Sequence, residues 1–250
     1  MYGFGFDKRT LYVIIAILLA TTLINMGANS ILATLLTLPG VIIGMAFHEF
    51  GHAFAADRLG DPTPRNQGRL TLDPSKHIDP TGLFLLMFAR IGWGKPVQIN
   101  PNNFSRVSRE KGEAIVAIAG PLMSFFLAFI LTIIFYAILI FIPTTEVLSS
   151  MAGINVMSVI VTILNYAIVV NIGLGVFNLI PIPPLDGSKV FLRFLPYKVR
   201  RWIDDNQMMI SIVFLVLCVT GLLRYITNPV IEIVMTGMDY LVSLIFSIFI

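Results

Sequence analysis

The chain has 250 residues, of which 56% are hydrophobic and only 12% are charged, and its mean hydropathy is +0.86. This composition excludes an ordinary soluble domain and indicates a polytopic membrane protein. The formal net charge of +3 is small, and in a membrane protein it reflects how basic residues divide between loops, so we expect no nucleic-acid partner. The lone cysteine, Cys218, has no partner for an intrachain disulfide.

Six apolar runs are long enough, or nearly long enough, to cross a lipid bilayer. They cover residues 11–28, 31–56, 114–142, 154–178, 208–223 and 230–250. The first run is longer than the apolar core of a signal peptide, so we interpret it as a retained helix. No internal repeat or change of composition divides the chain. We therefore predict one membrane domain over residues 1–250, with an all-α fold of about six transmembrane helices.

Basic residues alternate strongly between the segments that connect these runs. The N-terminus and residues 57–113 and 187–205 hold all but one of the 17 lysines and arginines, and Arg224 is the exception. By the positive-inside rule, both termini and the two basic segments are predicted to be cytoplasmic. We expect a multi-pass protein of the plasma membrane.

The long segment between the second and third runs has a pattern of its own. Residues 68–74 alternate in polarity and end at a proline, which predicts a short strand. The apolar piece at 83–89 is too short to span a bilayer, and residues 93–100 are predicted to be extended. The combination favours a small cytoplasmic or re-entrant β element that packs on protein or lines a wet cavity.

The second predicted span contains the sequence His48-Glu49-Phe50-Gly51-His52. Two histidines four positions apart lie on one face of a helix, where their imidazoles can bind a single zinc ion. Glu49 lies one position further round and can act as a general base on an activated water. Ionisable groups at bilayer depth are costly, which favours a functional metal site over two buried core histidines.

Two histidines leave a catalytic zinc ion one protein ligand short. The only other histidine is His77, for which a structural hydrogen bond is favoured over a role in metal or substrate binding. Asp186 is the better candidate, because the three prolines of residues 181–184 hold the preceding backbone in a rigid, non-helical conformation. An ordinary aspartate in an Asp-Gly turn is the alternative.

Together, the motif at residues 48–52 and the later sequence Asn178-Leu179-Ile180-Pro181-Ile182-Pro183-Pro184-Leu185-Asp186-Gly187 resemble the site-2 protease family of intramembrane zinc metalloproteases. The resemblance is greatest to compact members without a PDZ domain, and it extends to residues 68–80, 92–97 and 119–121. It implies one zinc ion per chain, bound by His48, His52 and Asp186. It further implies that Glu49 is the acid/base, that Asn178 orients the substrate carbonyl, and that the substrate is a transmembrane protein cleaved within the bilayer.

Two positions depart from the pattern of that family. Asp73 and Ser124 stand where asparagine is expected. We expect neither side chain to touch the proposed ligands.

Two other functions would use the same residues. A metal-cation transporter could bind a passing ion with them, although it has no need for a glutamate after the first histidine, and an inactive scaffold could retain them unused. Glu49→Gln separates these functions, because it should abolish proteolysis, alter transport, or change little. No feature of the sequence specifies an oligomeric state.

Four further polar residues lie in predicted spans. Asn165 and Asn171 are predicted to form hydrogen bonds between helices. Glu232 and Asp239 suggest a water-facing surface or gate, or a position near the membrane interface.

Overall fold

The computed structural model describes residues 28–89, 92, 94–141 and 156–247. These residues form a mostly helical fold without a regular strand. The α-helices are α1 (Ala28–Arg58), α2 (Thr63–Asn66), α3 (Pro80–Ala89), α4 (Arg109–Phe141), α5 (Val156–Asn178), α6 (Asp186–Phe191), α7 (Tyr197–Asp205), α8 (Gln207–Val219) and α9 (Arg224–Phe246). Short 3-10 helices occupy Pro74–Lys76, Pro101–Asn103 and Leu192–Phe194.

Four of these helices are long and apolar enough to cross a membrane, namely α1, α4, α5 and α9. They correspond to the second, third, fourth and sixth predicted spans, with ends shifted by a few residues. The first predicted span, residues 11–28, lies outside the described residues apart from Ala28, which begins α1.

The fifth predicted span is shorter than expected. Its helix α8 has 13 residues, a length of about 20 Å against the roughly 30 Å of a bilayer core, so α8 cannot cross alone. It qualifies as a span only together with α7, which meets it at a bend of 75°. The described residues therefore contain four or five candidate spans.

Helices α1, α4 and α5 pack against one another, and α9 packs on α5 and α4. The buried core of this bundle joins Ala128 of α4 to Ile168, Ile172 and Val176 of α5. Asn171 donates a hydrogen bond from Nδ2 to the Gly40 carbonyl of α1 at 3.3 Å, which confirms its predicted role between helices. Asn165 is exposed and forms no hydrogen bond to another helix within the described part of the chain.

The predicted strand at residues 68–74 is wrong. The described chain contains one isolated antiparallel bridge, between Ile78 and Gly94, and no strand. Arg69 explains the difference: its side chain turns inward and its guanidinium donates to the backbone carbonyls of Lys76, Lys95 and Pro96. The alternation in polarity therefore reflects one buried arginine in an irregular loop and not a strand.

The neighbouring segment also differs in part. The short apolar piece at 83–89 belongs to helix α3, whose first turn donates from the backbone N–H groups of Thr81 and Gly82 to Asp79 Oδ1. Residues 95–100 form neither helix nor strand, and Asn100 is extended.

Candidate metal centre

Helix α1 presents His48 and His52 on its buried face, where they are 5% and 8% exposed. The helix is 31 residues long and contains both histidines well inside its C-terminal half. Their rings lie edge to face with centroids 4.8 Å apart, as the spacing of four residues on a helix requires.

The third candidate ligand, Asp186, follows the proline-rich connection between α5 and α6. Helix α5 ends at Asn178, and the prolines of the following segment prevent its continuation, so the chain turns back before α6 begins at Asp186. Gly187 allows this turn to close, because a Cβ at this position would lie 2.6 Å from the Ile180 carbonyl oxygen and closer still to Leu179. The compact turn directs the Asp186 carboxylate toward α1.

Three ligand atoms converge at this point. Asp186 Oδ2 lies 3.1 Å from His48 Nε2 and 3.1 Å from His52 Nε2, and the two Nε2 atoms are 3.2 Å apart. Ligands of a tetrahedral zinc ion, at bond lengths near 2.0–2.1 Å, are separated by about 3.3 Å. The spacing thus fits a metal ion bound by all three side chains.

The other nitrogen of each histidine is already engaged. His52 Nδ1 donates to the Val116 carbonyl at 2.7 Å, and His48 Nδ1 donates to Ser124 Oγ at 3.0 Å. Ser124 Oγ in turn donates to the Gly120 carbonyl at 3.3 Å. These bonds leave the Nε2 lone pairs facing one another and the carboxylate, an arrangement that a cation between them would stabilise.

Charge at the site favours the same interpretation. A proton on each Nε2 atom would act in the same way as a cation: burial disfavours the ionised form of Asp186, but hydrogen bonds and charge from the two protonated imidazole rings outweigh burial and hold the pKa of this carboxyl below its usual range. The ionised form is the one that binds metal ions.

Helix α4 comes unusually close to the two histidines. A Cβ at Gly120 would lie 2.9 Å from His48 Nε2 and closer still to the His52 ring. Only a glycine at this position leaves room for both rings.

Glu49 lies beside the cluster and is partly buried. Its Oε2 accepts a hydrogen bond of 2.9 Å from the backbone N–H of Val97. Among the described residues no group donates to Oε1, which leaves that oxygen free to accept a proton.

Asn178 is not joined to the cluster. Its Nδ2 donates to the Leu174 carbonyl of its own helix, and no hydrogen bond in the described part of the chain links it to His48, His52 or Asp186. His77 is fully buried and donates from Nε2 to the Thr71 carbonyl at 2.8 Å, so it forms the structural hydrogen bond that the sequence favoured. Glu232 and Asp239 both lie on α9, away from the three ligands.

Three hydrogen-bond partners of the site were not predicted from the sequence: Ser124, which bonds His48, the Val116 carbonyl, which bonds His52, and the Val97 N–H, which bonds Glu49. The expectation that Ser124 would not touch a ligand is wrong, because its hydroxyl accepts from His48. A serine one turn after the Ala119-Gly120-Pro121 sequence was the available signal, since it falls on the same face of α4 as Gly120.

Comparison with known proteins agrees with this geometry. The profile of Peptidase family M50 matches residues 36–221, which include all three candidate ligands. Two similar proteins carry the name "Putative zinc metalloprotease": YwhC of Bacillus subtilis and Rip2 of Mycobacterium tuberculosis. No solved structure matches the chain.

The similarity extends over most of the chain. YwhC is 36% identical over 210 residues, which cover 84% of this chain and 90% of YwhC. Rip2 is 30% identical over 186 residues, which cover 73% of this chain and 66% of Rip2. A protein of the same name from Mycolicibacterium smegmatis is 30% identical over 195 residues, covering 76% of this chain and 69% of that protein. The chain therefore belongs to the M50, or site-2 protease, family of zinc metalloproteases.

Proposed function

We propose that the chain is an intramembrane endopeptidase, which hydrolyses peptide bonds inside the transmembrane segments of other membrane proteins, as in regulated intramembrane proteolysis. The observation that carries this proposal is the position of the ligands. His48 and His52 are buried within a helix long and apolar enough to span a bilayer, and Asp186 reaches them from the turn that follows another such helix.

The residues take separate parts in the reaction. His48, His52 and Asp186 would hold the zinc ion, which would polarise the substrate carbonyl and activate a water molecule. Glu49 accepts the proton of the attacking water on its free carboxylate oxygen and later gives it to the leaving amine. Asn178, at the end of α5, orients the substrate carbonyl once the substrate is bound.

The substrate must lose part of its helix before it is cut. A transmembrane helix satisfies its own backbone hydrogen bonds and shields its carbonyls, so attack requires local unwinding. The irregular segment 94–100, which touches Glu49 through Val97, is where an unwound peptide would meet the protein.

The same proposal includes the setting of the enzyme. We infer one catalytic domain over residues 1–250 with six spans, which adds residues 11–28 and the bent α7–α8 pair to the four long helices. The protein lies in the lipid bilayer of the plasma membrane with both termini in the cytoplasm.

Metal analysis and cleavage, measured on the same purified samples, test the chemical part of the proposal. The wild type should hold about one zinc ion per chain, Asp186→Ala should hold little, and Glu49→Gln should hold as much as the wild type but cleave nothing. Asp205→Ala is the control, because Asp205 is an exposed residue of α7. Full zinc content in Asp186→Ala, or cleavage by Glu49→Gln, would contradict the assignment.

A further inference from the structure

Residues 94–100, which we call the strap, are held by three of their backbone N–H groups, one of which bonds α1 while the other two bond the loop that follows α1. Lys95 donates to the His77 carbonyl at 2.7 Å, and Asn100 donates to Asp61 Oδ2 at 2.7 Å. Between these two anchors, the N–H of Val97 donates to Glu49 Oε2 at 2.9 Å. The strap thus touches the proposed general base at its middle and the protein at both ends.

The anchors are buried polar residues that the metal centre does not use. Asp61 and His77 are 0% exposed and Arg69 is 9% exposed. Burying such groups is unfavourable unless their hydrogen bonds are made. His77 Nε2 bonds the Thr71 carbonyl, and Asp61 and Arg69 bond the strap and the residues beside it. Asp61 also accepts from Asn103 Nδ2 at 2.9 Å, just beyond the strap, while Arg69 reaches the carbonyls of Lys95 and Pro96.

We propose that the strap positions the general base: the Val97 N–H holds one carboxylate oxygen of Glu49, so that the other points to the reacting water. Asp61, Arg69 and the His77 carbonyl are positioning groups that hold the strap in place. This inference rests on the proposed function, because it assigns a partner to the base of that reaction.

The physical reason is the freedom of a glutamate side chain. Glu49 has three side-chain torsions, and a carboxylate that rotates freely spends little time aligned for proton transfer. A hydrogen bond from a backbone N–H that is itself fixed at both ends restricts this rotation without neutralising the carboxylate. Loss of the bond should therefore reduce kcat and leave KM and zinc content unchanged.

The strap also offers a second, separable group. The N–H of Gln98 has no acceptor among the described residues, and this residue is exposed. It is the donor that an unwound substrate could use by pairing along the strap. Val97→Pro would not distinguish the two roles, because it both removes the donor to Glu49 and distorts the neighbouring peptide.

Replacement of single peptide bonds by esters separates the two roles of the strap, namely positioning Glu49 and pairing with the substrate. Cell-free synthesis into phosphatidylcholine vesicles can place the α-hydroxy analogue of valine at position 97, which exchanges one N–H for an oxygen and keeps the side chain. We expect kcat to fall about 10- to 100-fold, with KM and zinc content as in the wild type. The matched comparison is the α-hydroxy analogue of glutamine at position 98, which loses a donor to the substrate rather than to Glu49 and should therefore raise KM without the fall in kcat.

The outcomes of the ester experiment are distinct. A wild-type kcat for the position 97 ester would overturn the inference, and so would an equal fall in kcat for both esters. An inactive wild-type protein would instead refute the proposed function.

Residue-resolved hydrogen exchange tests the contact without any substrate. The Val97 amide should exchange slowly in the wild type and in Glu49→Gln, whose side-chain carbonyl can still accept, and faster in Glu49→Ala. Equal exchange in all three proteins would overturn the inference whatever the activity.

Discussion

At the scale of single residues, the two histidines proposed as metal ligands are oriented by hydrogen bonds from the ring nitrogen that faces away from the cluster. His48 and His52 each commit Nδ1 to helix α4, through Ser124 and the Val116 carbonyl, so that Nε2 is the nitrogen left for a metal ion. Asp186 is oriented by the closed turn before α6. The site is therefore formed by the packing of α4 and α6 around the two histidines of α1.

Gly120→Ala tests how closely α4 approaches the histidines. The added methyl group would overlap the His52 ring and lie 2.9 Å from His48 Nε2, so both rings must move. We expect loss of most bound zinc and of activity in a protein that still inserts into membranes. Gly173→Ala is the control, because a Cβ there meets only the Ile231 side chain at 3.8 Å. Normal zinc content in Gly120→Ala would contradict the close packing of α4 against the two histidine rings.

Ser124→Ala tests the hydrogen bond that fixes the His48 ring. Losing the acceptor for Nδ1 should weaken zinc affinity by about 10- to 100-fold, a typical effect of removing the partner of a metal-binding histidine. Competition with a zinc chelator measures the affinity. The control is Thr132→Val, since Thr132 is buried on the same helix but bonds only the Ala128 carbonyl. Equal zinc affinities in the two variants would argue against the role of Ser124.

At the scale of elements, the strap and its buried anchors join the loop after α1 to the catalytic face of α1. Asp61 accepts four hydrogen bonds, from Thr63 N, Thr63 Oγ1, Asn100 N and Asn103 Nδ2. Burial disfavours its charged form, but these bonds outweigh burial and lower the pKa of the Asp61 carboxyl. The loop is thus organised around one buried carboxylate.

Asp61→Asn should destabilise this region. The amide replaces an acceptor by a donor and leaves buried N–H groups unpaired, which should reduce the free energy of unfolding by about 2–4 kcal/mol. The lowered pKa of Asp61 means that its ionised form stabilises the fold. This stabilisation is complete above the ordinary pKa of 3.8 and is lost only as the pH falls through the lowered value. The difference in stability between Asp61→Asn and the wild type should therefore be equal at about pH 6 and about pH 8. Denaturant unfolding in detergent measures it.

Asp57→Asn is the matched control for that experiment. Asp57 pairs with Arg65 at 2.7 Å, but the arginine is 65% exposed and the pair is screened by water, so a much smaller effect is expected. An equal loss of stability in the two variants would contradict a special role for Asp61.

At the scale of the whole molecule, helices α1, α4, α5 and α9 form the bundle, and the site lies between α1, α4 and the turn after α5. In the proposed function this site lies at membrane depth, and the positive-inside rule predicts that the basic segments lie on the cytoplasmic side. Orientation therefore determines from which side water and substrate ends reach the site.

Cysteine labelling in intact cells tests the orientation. With Cys218→Ser as the background, Thr145→Cys should react with an impermeant maleimide from outside, whereas Lys198→Cys should react only after lysis. The two positions serve as controls for each other. Labelling of Lys198→Cys in intact cells, with labelling of Thr145→Cys only after lysis, would contradict the predicted topology.

The sequence identified the three residues that the structure brings together, His48, His52 and Asp186, because local geometry determines their placement. The spacing of His48 and His52 corresponds to one helical face, and prolines fix the backbone before Asp186. Ser124 and Val97 are 76 and 48 residues from their partners His48 and Glu49, so these pairs depend on tertiary packing that no local pattern contains. The strand predicted at 68–74 failed for the related reason that a strand needs a partner, and the residues that the structure describes supply only the bridge between Ile78 and Gly94.

The position of the cut in a transmembrane substrate is the decisive test of intramembrane hydrolysis. Purified protein in lipid vesicles would be incubated with single-span substrates, and mass spectrometry of the products would identify the broken bond. We expect a cut within the apolar segment by the wild type and none by Glu49→Gln. Cuts confined to the polar flanks, or cuts that persist in Glu49→Gln, would contradict intramembrane hydrolysis at this site.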